Sequence, residues 1–227
     1  IDVAMSLLGK NKRINISFDE WNISGARTLK DALGIARFLN MLQRQSVALA
    51  CFFPLISWKS FEDVAAILGI PPSVIQAPWD LGLIEVREEG LVLEAGYFAF
   101  DLYIKHTGKI IVDTWVKSDT YDTEITHGSF SQSVQVPAEN IPYIDSSATL
   151  DEGKEKLYLN TVNVHKDKDI ECTIELNGIQ IMKEGKVFEL NGPNVNANRI
   201  KILEKAIDNA GNRFSYKFPP HSATVIE

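Results

Sequence analysis

The sequence predicts a mixed fold: an α/β part followed by an all-β part, with the change near Gly108. Three observations predict it. Before Gly108, stretches with helical spacing alternate with short apolar runs, the βα order of a parallel sheet or barrel. From Lys109 onward, strand-like runs follow one another with turn residues between them, as in a β-sandwich or jelly roll. The 227 residues are 45% hydrophobic and 23% charged, the proportions of a packed chain rather than a disordered one. The expected domains are therefore residues 1–108 and 109–227.

Ile1–Leu8 reads as the end of a helix stopped by Gly9. Arg13–Phe18 alternates Ile14, Ile16 and Phe18 with polar residues, a strand pattern that runs into Asp19-Glu20-Trp21-Asn22. Thr28 with Asp31 forms a weaker version of the capping box. Leu29, Ala32, Leu33, Ala36 and Leu39 then share one face of a helix over Thr28–Arg44. Val47–Ile56 is continuously apolar, as a strand covered on both faces would be. Ser60 caps a short helix, Phe61–Leu68. Trp79–Gly90 reads as irregular and acidic, and Glu94–Lys105 as the last helix.

In the second part, Ile110–Val116, Lys156–Val164, Ile170–Leu176, Val187–Leu190, Phe214–Phe218 and Ala223–Ile226 read as strands. Asn177-Gly178 and Asn191-Gly192 supply hairpin turn chemistry. Ser118–Tyr143, rich in Ser, Thr, Asp and Pro, reads as an irregular loop.

Composition excludes several functions. The net charge is −7 with no basic stripe, so nucleic acid is not an expected partner. The longest apolar run, Val47–Ile56, is half the roughly 20 residues a membrane span needs. Ile1–Leu8 lacks a signal peptide's basic start and cleavage site. A cytoplasmic location is expected, with secretion left open because the start is expected to be missing. Cys51 and Cys172 read as free core thiols. No histidine pair has metal-ligand spacing, so neither a metal nor a cofactor is expected. His106, at a helix end, is expected to interact with the helix dipole. Asn194, Asn196 and Asn198 make a polar loop.

The chain begins IDVAMSLLGK, without an initiator Met, and only two strands are visible before Gly108. Two parallel strands do not make a stable sheet. The sequence therefore reads as a piece of something longer. An isolated part of this kind would expose strand edges and apolar faces, so association with a partner chain or with itself is expected.

Glu20 is the best candidate for chemistry. It sits at the C-terminal end of a strand in a βα array, where barrel enzymes build their sites. A carboxylate there can be a nucleophile or an acid/base. Trp21 could pack on a sugar ring, and Asn22 could hydrogen-bond to one. On spacing alone, a strand-end Glu is more often a surface charge or a helix cap.

At Phe18-Asp19-Glu20-Trp21-Asn22 the chain resembles the α-L-arabinofuranosidases of glycoside hydrolase family 51. Asp31-Ala32-Leu33 with Phe38-Leu39-Asn40 resembles the family's "DAL…FLN" helix. His106-Thr107-Gly108 is similar to the end of its last barrel helix. Asp145–Leu150, Leu159–Asn163 and Pro219-Pro220-His221-Ser222 resemble strands of its C-terminal sandwich. The resemblance implies the last part of a (β/α)8 (TIM) barrel followed by a jelly-roll β-sandwich. It also implies a retaining hydrolase that releases terminal α-L-arabinofuranose from arabinan, arabinoxylan or arabino-oligosaccharides. Retention requires two carboxylates roughly 5–5.5 Å apart. Glu20 would be the nucleophile. The family's acid/base lies in an Asn-Glu pair on an earlier strand, and no Asn-Glu dipeptide occurs here. The acid/base would come from an N-terminal remainder or a partner chain.

Two departures stand out. Ile23–Arg27 is shorter than the family's aromatic loop, and Glu94 stands where members often carry Arg or Gln. Trp58 and Trp79 are candidates to line the site instead, with loop packing as the competing reading. A second reading is a non-catalytic carbohydrate-binding or assembly module, with the first part as a relic.

Overall fold

The computed structural model describes residues 16–23, 25–45, 47–57, 69, 71, 81–87, 89–129 and 132–227. The expected helices over residues 1–8 and 61–68 lie outside the described residues. The fold is mostly β-strand with few helices. Strand β1 (Ser17–Trp21) leads through helix α1 (Leu29–Arg44) to strand β2 (Leu49–Phe52), and β1 and β2 pair in parallel. Strands β3 (Ile56–Ser57), β4 (Ile84–Arg87) and β5 (Gly90–Leu93) form a small sheet before helix α2 (Ala95–Lys105).

The β-rich part contains β6 (Ile110–Val112), β7 (Thr120–Ser129), β8 (Gln132–Pro142), β9 (Ile144–Leu150) and β10 (Leu157–Asn163). It continues with β11 (Ile170–Glu175), β12 (Gly185–Asn191), β13 (Lys201–Ile207), β14 (Arg213–Phe218) and β15 (Ser222–Ile226). Six of these strands form an antiparallel sheet in the order β13-β12-β15-β10-β9-β6. The pair β11–β14 faces it, and Ile144, Val187, Ile207, Phe214, Phe218 and Ile226 fill the space between. The opposite face of the large sheet carries α1 and α2. Tyr158, Val162, Phe188, Leu190, Ala223 and Val225 pack there with Leu29, Leu33, Ile35 and Leu102. Strand β15 is buried along its whole length because both faces are covered.

The expected capping box of α1 forms. Thr28 Oγ1 accepts from Asp31 N, and Thr28 N donates to Asp31 Oδ2 at 2.9 Å. The first amides of the helix also find partners. Leu29 N and Lys30 N each donate at 2.8 Å, to Ala197 O and Val195 O in the Asn-rich loop after β12. This loop therefore seats the helix on the sandwich. Across the same interface, fully buried Asn40 accepts from Tyr103 Oη and Ser147 Oγ, both at 2.7 Å, and donates to Asp145 Oδ2 at 3.0 Å. Arg44 closes the network onto Asp145 at 2.8 Å. Gly108 marks the passage from α2 to the sandwich. A Cβ there would lie 2.0 Å from Leu150 O, so no larger residue fits.

Several expectations are corrected. Residues 118–143 are not an irregular loop: β7 and β8 pair as a long antiparallel ribbon. The polar composition hid a period-two pattern, with Ile125 opposite Val136 and Thr123 opposite Ala138 on one face. Ile125, Val134 and Val136 are exposed there. Residues 84–93 form the β4–β5 hairpin, where an irregular segment was expected. Strand β13 had no predicted counterpart. Its alternation is obscured by four charged or small residues in seven, Lys201, Glu204, Lys205 and Ala206. Strand β11 pairs with β14 and not with β12, so Asn177-Gly178 turns the chain without closing a hairpin between neighbours.

Finally, 47–56 is not a strand covered on both faces. Ala50 and Phe52 pack on the helices, but Leu49 is 55% exposed and Cys51 is exposed. Cys51 is thus not a core thiol, because among the described residues nothing covers that side of β2. Cys172 is half-buried against the sandwich core, and burial pushes its thiol pKa up.

Candidate active site

A strand whose side chains alternate places residues three apart on opposite faces. In β1, Phe18 and Trp21 are three apart, yet both reach Phe38 of α1, with ring centroids at 5.8 and 4.4 Å. The register explains this. Phe18 lies opposite Ala50 and Trp21 opposite Phe52, so Asp19 and Glu20 together face the single residue Cys51. The extra residue is a β-bulge, a device that bends a strand and re-aims a side chain. Both Asp19 and Glu20 are exposed. Ser17 Oγ donates to Asp19 Oδ1 at 2.5 Å. The Glu20 carboxylate has no hydrogen bond or ion pair among the described residues. An exposed carboxylate at the C-terminal end of a parallel strand can attack an electrophile or exchange a proton.

The neighbours of Glu20 correct two expectations. Trp21 is 7% exposed and lies among Phe38, Phe52 and Phe100. It anchors the strand end in the core and does not offer a ring face to a sugar. Apolar burial dominates because the bulge turns its ring toward the helices. Its Nε1–H is buried and has no partner among the described residues. Asn22 donates from Nδ2 to Phe53 O at 2.6 Å and to Leu81 O at 3.2 Å, while its Oδ1 accepts from Ile23 N at 2.6 Å. With its donors engaged, Asn22 is a clamp joining the ends of β1 and β2 to the segment before β4, not a free substrate donor. Phe53 N completes the clamp by donating to Trp21 O at 3.0 Å. Trp58 and Trp79 lie outside the described residues.

A charged cluster that the sequence reading missed lies around β4 and the start of α2. Glu85 on β4 meets Arg87 at 2.7 Å and Arg27, in the segment between β1 and α1, at 3.6 Å. The Arg87 hydrogen bond, then the charges of Arg87 and Arg27, pull the Glu85 carboxyl below its ordinary range against the effect of burial. Glu94 is the N-cap of α2 and is only 5% exposed. Burial pushes its carboxyl up, the charge of Arg27 opposes that, and the charge of Glu85 adds to it. The signal available in the sequence was the unusual residue at position 94.

His106 and His221 serve structure. The His106 ring stacks on Phe188 at 3.6 Å, with Nδ1 3.4 Å from Glu227 Oε2, so it contacts the sandwich and not only the end of α2. Buried His221 lies with Nδ1 2.7 Å from Lys166 O and Nε2 3.0 Å from Gly192 O. Among the described residues, no three His, Cys, Asp or Glu gather as a metal site, and no helix is long and apolar enough to cross a membrane. A cavity of about 330 Å³ opens at one end of the sandwich, between Leu159, Ile174, Ile207 and Phe214, and takes no wall from β1 or β2.

Comparison with known proteins gives a consistent answer. The family model described as alpha-L-arabinofuranosidase C-terminal domain matches residues 19–222. A probable alpha-L-arabinofuranosidase C of Aspergillus clavatus is 29% identical, over 100% of this chain and 42% of its own length. Among solved structures, the GH51 alpha-L-arabinofuranosidase of Thermotoga petrophila is similar, with TM-score 0.76 and 28% identity over 94% of this chain and 43% of that one. The alpha-L-arabinofuranosidase of Thermotoga maritima, in its arabinose complex, also has TM-score 0.76, with 29% identity over 94% of this chain and 42% of that one. The chain thus spans less than half the length of these relatives, and it belongs to the alpha-L-arabinofuranosidase C-terminal domain family.

Proposed function

We propose that this chain is the C-terminal portion of a retaining glycoside hydrolase that releases terminal α-L-arabinofuranosyl residues from arabinan, arabinoxylan or arabino-oligosaccharides. In this reading β1, α1, β2 and α2 are the closing elements of a (β/α)8 barrel, and the β-rich part from residue 109 is its jelly-roll partner. Glu20 attacks the anomeric carbon and expels the leaving oxygen, forming a glycosyl-enzyme. A second carboxyl, outside this chain, protonates that oxygen and then takes a proton from the water that hydrolyses the intermediate. Trp21 and Asn22 fix the strand end that carries the nucleophile, and no metal or cofactor is needed.

The observation that carries the reading is the bulge in β1, which leaves Glu20 exposed at the C-terminal end of a parallel strand while Trp21 anchors that strand in the core and Phe18 edges onto Phe38. The length of the relatives supports an N-terminal remainder that supplies the other strands and the acid/base. The open side of β2 and the apolar row on the β7–β8 ribbon support association, as an assembly with that remainder and with further copies.

Joining or mixing this chain with the N-terminal portion tests the proposal, with release from 4-nitrophenyl α-L-arabinofuranoside as the readout. Activity is expected to appear on combination and to fall to background with Glu20→Ala. Added azide should then partly restore release by attacking the anomeric carbon in place of the missing carboxylate. Equal activity with Glu20→Ala would show that Glu20 is not the nucleophile.

A further inference from the structure

We infer that the β7–β8 ribbon is an exchange arm: its apolar face seats on the Ile111–Trp115 strip of a second copy of this chain, whose own arm returns the contact. The inference rests on the association proposed above and is independent of Glu20.

The ribbon is built to hold one direction. At its root Tyr121 packs on Tyr143 and Tyr143 on His165, with ring centroids 4.8 and 4.7 Å apart. Tyr143 N donates to Asp119 O at 3.0 Å, and Ile144 N donates to Ser118 Oγ at 3.2 Å. Just beyond the root the register shifts, so that Asp122 alone faces Glu139 and Asn140. Such a bulge bends a ribbon and tightens its twist. Asn140 takes the left-handed conformation, with φ 57°, and its N–H donates to Asp122 Oδ1 at 2.8 Å. Asn adopts this conformation more readily than most residues.

Past the bulge the strands pair only with each other, and residues 122–125 and 134–137 are exposed. A two-stranded ribbon standing free in water is marginal. One of its faces is nevertheless apolar. Ile125 lies opposite Val136 and Thr123 opposite Ala138, and Val134, two residues from Val136, continues the same face.

The receiving strip lies just before the arm. Among the described residues β6 is an edge strand, paired with β9 alone. Exposure alternates along it and beyond, leaving Ile111, Asp113, Trp115 and Lys117 outward. Trp115 is 83% exposed. Large aromatic side chains of this kind anchor protein interfaces.

Area and charge select the occupant. Two strands about 4.8 Å apart and some seven residues long, at roughly 3.4 Å per residue, offer a face on the order of 250 Å². Two arms packed on each other would bury about 500 Å² in all, half of the roughly 1,000 Å² that a specific interface should clear. In a two-fold exchange each arm is matched by an equal area of the other body, which doubles the total and reaches that size. Pairing two arms edge to edge would also gather like charges, because Thr120–Pro142 carries Asp122, Glu124 and Glu139 and no Lys or Arg. The strip instead offers Lys117 beside Trp115.

Sedimentation velocity of the full chain, with Cys51→Ser to remove the exposed thiol, tests this. A species of twice the chain mass is expected. Trp115→Ala and Val136→Glu should each weaken it at least about tenfold in Kd, with far-UV circular dichroism unchanged because both positions are exposed. Chains carrying Ile111→Cys, mixed with chains carrying Val136→Cys under mild oxidation, should give a mixed disulfide-linked dimer. A monomer would remove the association and the exchange together. An oligomer that persists in both variants, as association through the open side of β2 would, removes the exchange alone. A Val136→Cys chain that links to itself in place of the mixed pair would also overturn the proposal. Release of arabinofuranose plays no part in these readouts, so their failure is distinguishable from failure of the nucleophile assignment.

Discussion

Asn40 joins α1, the helix that follows β1, to the sandwich, and replacing it tests how the two are coupled. Its Oδ1 accepts from Tyr103 Oη and Ser147 Oγ, both at 2.7 Å, and the residue is fully buried. In Asn40→Ala, Ser147 keeps Gln43 Oε1 as an acceptor at 2.5 Å, and Arg44 still neutralises Asp145. Tyr103 Oη has no such substitute among the described residues. An orphaned buried hydroxyl costs about 1–3 kcal/mol, and the space left by the amide adds roughly 1 kcal/mol. The expected loss is therefore about 3 kcal/mol, a fall in Tm of roughly 6–12 °C for a chain of this size. Urea and thermal unfolding followed by tryptophan fluorescence measure it. Tyr103→Phe alone should cost about 1 kcal/mol, and the double variant should lose less than the sum, because the two residues share one hydrogen bond. A loss below about 0.5 kcal/mol for Asn40→Ala, or strict additivity of the pair, would refute this account.

Two further predictions concern ionisation and exposure. Of the six tyrosines, burial holds Tyr103 well above the ordinary 10.0, raises Tyr158, and pushes Tyr216 up to about 12. Phenolate absorbance should therefore show a late stage, rising above pH 10. Stability should fall as pH climbs above 10, because the unfolded chain ionises these groups first. Tyr216→Phe should remove part of the late stage, and a single stage near 10 would contradict the assigned burial. Cys51, exposed on the open side of β2, should react faster with a thiol reagent than half-buried Cys172, whose thiol burial pushes up. Adding the N-terminal portion should protect Cys51. Unchanged reactivity on combination would count against the proposed barrel completion.

Much was legible in the sequence because its cause is local. The Thr28/Asp31 box and the Leu29–Leu39 spacing set α1 without reference to the rest of the chain. Alternating or continuous apolar runs marked β10, β11, β12, β14 and β15, where at least one covered sheet face selects for hydrophobic residues. The FDEWN segment located the candidate nucleophile. The misses share a different cause. The β7–β8 ribbon and β13 carry polar residues on faces that no core selects, so composition concealed their pairing. The open side of β2 could not be read from an apolar run, because a run reports what a surface is suited to meet and not whether it is met.

The sequence by itself determined α1 and α2, most of the sandwich strands, the change of character near Gly108 and the position of Glu20, all through short-range spacing. Only the tertiary structure decided the roles of the residues around Glu20. The bulge turned Trp21 into the core and made Asn22 a clamp, because the register between β1 and β2 depends on a strand about thirty residues away. It also brought Arg27, Glu85, Arg87 and Glu94 together from three separate elements, and a contact between distant segments leaves no period in the chain that makes it.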